Sequence, residues 1–135
     1  MKETHLQPER QTVKLGLLKV VRDLFPGEVL KTAYSIEDGV YCQLVKSVLS
    51  EREVRQIAAC LDKWVETNQP IEFLYSKDGY YQYCIGGDII KSTYPALIEP
   101  AAADPFRIVP FDSGFIVDFS EIRKEEDSPF ILPQK

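Results

Sequence analysis

The sequence is short of most of the residues that carry catalysis. It has one histidine, His5, near the start of its 135 residues. A Ser-His-Asp or Cys-His arrangement placed later in the chain therefore has no base. Its three cysteines, Cys42, Cys60 and Cys84, include no pair two apart. That spacing suggests neither a disulfide framework nor a zinc knuckle, and reduced thiols in a cytoplasmic protein are the expectation. No G-x-x-x-x-G-K-[ST] pattern occurs, since Gly86-Gly87 lead into Asp88 and the nearest lysine is Lys91. Binding of ATP through a phosphate loop is excluded. No apolar run approaches the ~18 residues of a membrane span, and "MKETHLQPERQ" has no apolar signal core. Excess positive charge is also missing: the formal net charge is −5. A general DNA or RNA binder needs a basic surface to displace counterions, so that class is disfavoured.

What is present is an ordinary soluble composition, 44% hydrophobic and 27% charged. The length fits one domain. Residues 13–25 read as a helix, with Leu17, Val21 and Leu24 on one stripe widened by Leu18 and Phe25. Gly16 costs that helix about 1 kcal/mol of propensity, so packing must hold the turn. Pro26-Gly27 ends it. Lys14, Lys19, Arg22 and Lys31 cluster here and read as a solvated helix face. "VLKTAYSI" and "VYCQLVK" flank an Asp38-Gly39 turn, a hairpin signal, and Glu37 and Asp38 are expected to be solvated there. Ser50 with Glu53 forms a capping box. Behind it Val54, Ile57, Ala58, Leu61, Trp64 and Val65 keep helical spacing up to Asn68, and Pro70 closes the element.

"IEFLYS" and "YYQYCI" flank "KDG", a second hairpin. Alternation places Tyr80, Gln82 and Cys84 on one face and Tyr81, Tyr83 and Ile85 on the other. Residues 94–105, rich in Pro and Ala, read as a loop or short helical turn. "FRIVPF" and "FIVDF" around "DSG" make a third hairpin, with Pro110 suited to an edge or a bulge. The expected fold is α+β, two helices packed on one antiparallel sheet built from hairpins. The expected organisation is a flexible tail over 1–12, a module over 13–120, and a linker or tail over 121–135.

The stretch "YYQYCIGGDIIKSTY" holds the candidate site. Glycines let a backbone approach a ligand, or simply make turns. Ser92 and Thr93 have hydroxyls to donate to a ligand or to a following turn. If the two glycines turn the chain back on itself, Cys84, Asp88, Ser92 and Thr93 border one groove with Tyr80 on its wall.

Several segments together resemble a known module. They are "LFPG" at 24–27, "YSIEDGVYCQL" at 34–44, a capped helix followed by "PIE", an aromatic strand running into "GGDIIKST", and "SGFIVDF". Their order resembles the editing-type domain of threonyl-tRNA synthetases. It resembles more closely the related domain that precedes the kinase domain in bacterial uridine-kinase-like nucleoside kinases. The H-S-x-x-x-G-x-Y-C-E segment of that group corresponds to Tyr34, Ser35, Gly39, Tyr41, Cys42 and Gln43. Its G-P-x-x-P-S-T-G turn corresponds to Gly86 or Gly87 and then Ser92-Thr93.

The sequence also departs from the pattern. The family's histidine pair is missing from the helix over 50–68. Cys84 stands where a later cysteine would, with Asp88 near the place of its histidine partner. Tyr34 replaces the first-motif histidine, and Gln43 a glutamate. The resemblance therefore implies a degenerate editing pocket that binds without hydrolysing. It implies the non-catalytic N-terminal module of a nucleoside (uridine) kinase-like protein, with ATP and Mg2+ entering only through a kinase domain following Lys135. A free-standing domain that binds a tRNA end or a protein is the alternative. A nucleotide or the adenosine end of a tRNA is the ligand the resemblance implies.

Overall fold

The computed structural model describes residues 8–36 and 38–120. Helix α1 spans Pro8–Leu24 and α2 spans Glu51–Thr67. The strands are β1 (Leu30–Ile36), β2 (Gly39–Leu44), β3 (Ile71–Lys77), β4 (Tyr80–Ile85), β5 (Asp88–Ser92), β6 (Arg107–Phe111) and β7 (Gly114–Asp118), with a 3-10 turn at Pro100–Ala102 before β6. The class is α+β, as the sequence pattern implies. The strands form two antiparallel sheets instead of one: β1-β2-β7-β6 and β3-β4-β5. Turn signals identify hairpins but carry no information on which hairpins join. Here the first and last hairpins meet through β2 and β7, with Val40 opposite Val117 and Cys42 opposite Phe115. The middle hairpin instead takes β5 as its third strand.

Helix α1 is not a one-stripe helix. Gln11, Thr12, Val13, Leu15, Gly16, Leu17, Lys19, Val20 and Val21 are all buried. Those positions run round most of the circumference, as in a helix enclosed by its own protein. Leu18, Leu24 and Phe25, expected on the stripe, are only partly buried. The helix also begins earlier than its apolar pattern suggests, so residues 8–12 do not belong to a tail. Proline suits a first helical turn, because the N–H it lacks would have no partner there. Polar contacts hold this end. The Thr12 hydroxyl donates to the Pro8 carbonyl (2.8 Å) and accepts the Leu97 N–H (2.8 Å). Arg10 reaches Asp38 (3.2 Å) and Asp104 (3.3 Å) and lies over the Phe119 ring. Asp38 is thus ion-paired instead of simply solvated. Glu37 and the segments 1–7 and 121–135 lie outside the described residues.

Helix α2 keeps its expected form. The Ser50 hydroxyl accepts the Glu53 N–H and the Glu53 carboxylate accepts the Ser50 N–H, completing the capping box. Asn68 closes the helix in the left-handed conformation at φ 53°. Val54, Ile57, Leu61 and Trp64 face the core. Gly16 explains how the helices meet. A Cβ there would lie 2.4 Å from Trp64 Cζ3 and 2.8 Å from Leu61 Cδ1. Only a residue without a side chain admits the indole at this crossing. The lost helix propensity is therefore offset by tight packing.

Candidate ligand-binding face

The three-stranded sheet positions Tyr80, Cys84, Asp88 and Ser92, and Thr93 follows directly on its last strand. Gly86 (φ 55°) and Gly87 (φ 88°) form the two-residue turn between β4 and β5. Two successive positive φ values are what a tight hairpin of matching twist requires. The turn therefore does not fold Asp88 and Ser92 back over Cys84. It starts a new strand, and the pairing register decides the faces. Tyr83 pairs with Ile90, Tyr81 with Ser92 and Ile85 with Asp88. Cys84 pairs with Ile89 and Gln82 with Lys91. Paired residues share a face. Asp88 and Ser92 thus lie on the inner face with Tyr83 and Ile85, while Tyr80 and Cys84 lie on the outer face. The five residues do not border one groove.

The inner-face pair is engaged in packing. Ser92 is buried, and its hydroxyl accepts the Gln11 side-chain N–H (2.9 Å) and the Tyr94 N–H (3.2 Å) while donating to the Tyr94 carbonyl. Beside it the Tyr83 hydroxyl accepts the Ala96 N–H at 2.9 Å. Together with Thr12, these groups fasten the irregular segment after β5 to the core. Asp88 receives the Lys19 ammonium at 2.8 Å, and Asp23 receives it at 3.2 Å. The hydrogen bond from Lys19 holds the Asp88 carboxyl below its usual range. Burial pulls the Lys19 pKa down, but the bonds and charges of Asp88 and Asp23 outweigh it and the net shift is upward. Lys19 is thus a buried, neutralised cation, not part of a solvated face. Lys14, on another side of the same helix, is half-buried, and burial lowers its pKa.

The outer face is different. Tyr75 on β3 pairs with Gln82, and Lys77 pairs with Tyr80. Tyr75 and Tyr80 are therefore diagonal neighbours, 49% and 42% exposed. The Lys91 ammonium sits 5.3 Å from the Tyr80 ring centroid. Ile89 and the half-buried Cys84 complete the far end. At the hairpin tip an open hollow of about 320 Å³ is bordered by Lys77, Gly79, Tyr80, Tyr81 and Thr93. The structure thus brings Tyr80 and Thr93 together and sets Cys84 further along the same sheet. Tyr75, Lys77 and Lys91 belong to this face and were not foreseen. The signal was available: Lys77 and Lys91 share the alternation of Tyr80. Tyr75 shares the alternation of Lys77 two residues on, while the slip of the β3 ladder sends Phe73 to the other face.

A larger cleft of about 460 Å³ separates α1 from α2, bordered by Lys19, Asp23, Cys60, Lys63, Trp64 and Gln69. Lys19 is already occupied there by its two carboxylates, leaving Lys63 as the cleft's only uncompensated cation among these side chains. Cys42 is a poor nucleophile. Burial pushes its thiol up to about 12, outweighing the Lys14 charge and a hydrogen bond with Thr32. Among the described residues no group of three or more His, Cys, Asp or Glu side chains converges as a metal would need. No described helix is long and apolar enough to cross a membrane. No protein-family model matches the chain, and no curated protein is significantly similar to it.

Proposed function

We propose that the protein is a non-hydrolytic binding module and that its ligand is a nucleotide or the unpaired adenosine end of an RNA. The observation that carries this reading is the pair of exposed tyrosines on the outer face of β3-β4-β5, flanked by Lys77 and Lys91. Stacking of a base on an aromatic ring contributes about 1–3 kcal/mol and tolerates any base. An antiparallel sheet with exposed rings is a recurring platform for single-stranded RNA. Ammonium groups beside the rings supply phosphate contacts, so binding should weaken as salt rises. The overall acidity of the chain fits a local site better than a broad nucleic-acid surface.

Hydrolysis is left out of the proposal for a chemical reason. Neither Cys84 nor Asp88 has a histidine within the fold described. Asp88, the residue nearest the place of the missing base, is held as a carboxylate by Lys19. The resemblance to editing-type domains of nucleoside kinases extends the reading: the module would position or regulate a kinase domain encoded downstream. A phosphate loop in the genomic continuation beyond Lys135 would support that extension, and a stop codon there would favour a free-standing domain.

The direct test is titration of nucleosides, nucleotides and tRNA while recording backbone amide shifts. Residues 75–91 on the outer face should respond, and Tyr80→Ala should weaken binding about tenfold. A response confined to another surface, or to the cleft between the helices, would overturn the assignment.

A further inference from the structure

A second property follows from the free edge of β3, and it does not rest on the ligand reading. The two sheets have four edge strands among the described residues, and two resist further pairing. Strand β6 carries Pro110, which has no N–H to offer. Strand β5 is approached by α1, and Arg22 donates to its Ile89 carbonyl (3.2 Å). Strand β1 carries a single charged residue, Lys31, so a second copy paired along it offers that charge no partner of opposite sign. Strand β3 is equally long, lies open and carries charges of both signs, Glu72 and Lys77. Only Ile71 of its seven residues is buried, and Phe73 and Tyr75 are 47% and 49% exposed. The loop after β5 covers just its first residue, through the Ile71 N–H to Ile98 carbonyl bond. From Glu72 to Lys77 the backbone has no partner on its free side among the described residues. Such an edge is a template for another strand.

The geometry points to a second copy of this chain as the occupant, paired antiparallel through β3. Phase and charge along the strand favour this occupant. Leu74 is the extra residue at the ladder slip between Phe73 and Tyr75. In a regular strand Glu72 and Lys77, five apart, would point to opposite faces. The slip puts them on the same face: Glu72 pairs with Cys84 and Lys77 with Tyr80. Phe73 and Ser76 share the other face, opposite Tyr83 and Tyr81. A two-fold axis between Leu74 and Tyr75 then sets Glu72 of one copy against Lys77 of the other, twice. Phe73 meets Ser76, and Leu74 meets Tyr75. The Glu72–Lys77 and Phe73–Ser76 pairs are face-matched, and both charged pairs are of opposite sign, a self-complementary edge of the kind a two-fold dimer needs. The product is a continuous six-stranded sheet in which the outer faces of the two copies join across Tyr75.

Charge exchange tests this register. Sedimentation equilibrium of the full chain should show a reversible monomer–dimer equilibrium. Lys77→Glu sets two like-charge contacts across the axis and should raise the dimer dissociation constant about tenfold, and Glu72→Lys should do the same. The double variant exchanges the charges and should restore the original constant. All these side chains are exposed, and unchanged melting temperatures check that the variants fold. A chain that stays monomeric up to millimolar concentration would overturn the inference. So would a dimer indifferent to either single exchange, or one that the double variant fails to restore.

Discussion

The two faces of β3-β4-β5 are made from similar residues and do different things. The inner face of β4 carries two tyrosines and the outer face one, and both faces of β5 carry polar side chains, Asp88 and Ser92 inside and Lys91 outside. On the inner face the Tyr83 hydroxyl, Ser92 and Asp88 all have protein partners that hold a loop or a helix in place. On the outer face the rings of Tyr75 and Tyr80 remain largely open. A polar or aromatic residue in a motif-like stretch points to function only once its protein partners are counted. A hydroxyl already accepting two N–H groups has little left to offer a ligand.

The comparison can be broken from the inside outward. The largest effect should come from Tyr83→Ala, which empties a buried ring position and releases Ala96; a loss of about 3–5 kcal/mol in urea unfolding is expected. A loss under 1 kcal/mol would mean the inner face is not packed as described. Ser92→Ala should cost about 1–3 kcal/mol, because the buried Gln11 amide loses its acceptor. A neutral result there would return Ser92 to the pool of ligand-binding candidates. Asp88→Asn should act through pH. The folded-state pKa of Asp88 lies below its ordinary value, so its contribution is present above the ordinary carboxylate range and disappears as pH falls through the folded value. Urea midpoints of the variant should therefore decline less steeply in acid than those of the parent. Lys19 works in the opposite sense: its pKa is raised, so its contribution holds below the ordinary lysine value and is lost as pH rises past the raised one. The smallest effect on stability belongs to Tyr80→Ala, within about 0.5 kcal/mol. A large drop in unfolding free energy would identify Tyr80 as a structural residue and remove it from the binding face.

Much of the fold was legible in the sequence, and the limits are physical. Helix α2 was readable to within a residue, because Ser50, Glu53 and a strict apolar period all encode it locally. The turns at 78–79 and 112–113 were readable because Asp78, Gly79 and Asp112 tolerate the positive φ they adopt there; Gly39, expected in a turn with Asp38, instead begins β2. The beginning of α1 was not, since Gln11 and Thr12 are buried by hydrogen bonds to residues more than 80 positions away. Separation into two sheets was also invisible, because strand partnership is decided by tertiary packing. At the candidate site, Tyr80 and Cys84 were correctly placed on one face by alternation. Asp88 and Ser92 were misplaced because Gly86-Gly87 was read as a reversal toward Cys84, whereas it is the turn of a hairpin that continues the sheet.

The enclosure of α1 has a consequence for how the chain acquires its structure. Arg10, Gln11 and Thr12 find their partners at Asp104, Ser92 and Leu97. Those separations of 94, 81 and 85 residues place the contacts among the most non-local a domain of this size can make. Loop closure across such spans must precede the contacts that reward it, which slows folding. During synthesis, residues 8–24 leave the ribosome before the rest of the domain and then wait, without the partners that later bury them, until most of it has followed. Until the segment after β5 arrives, the nascent helix presents the same surface to any chaperone that it later presents to its own core.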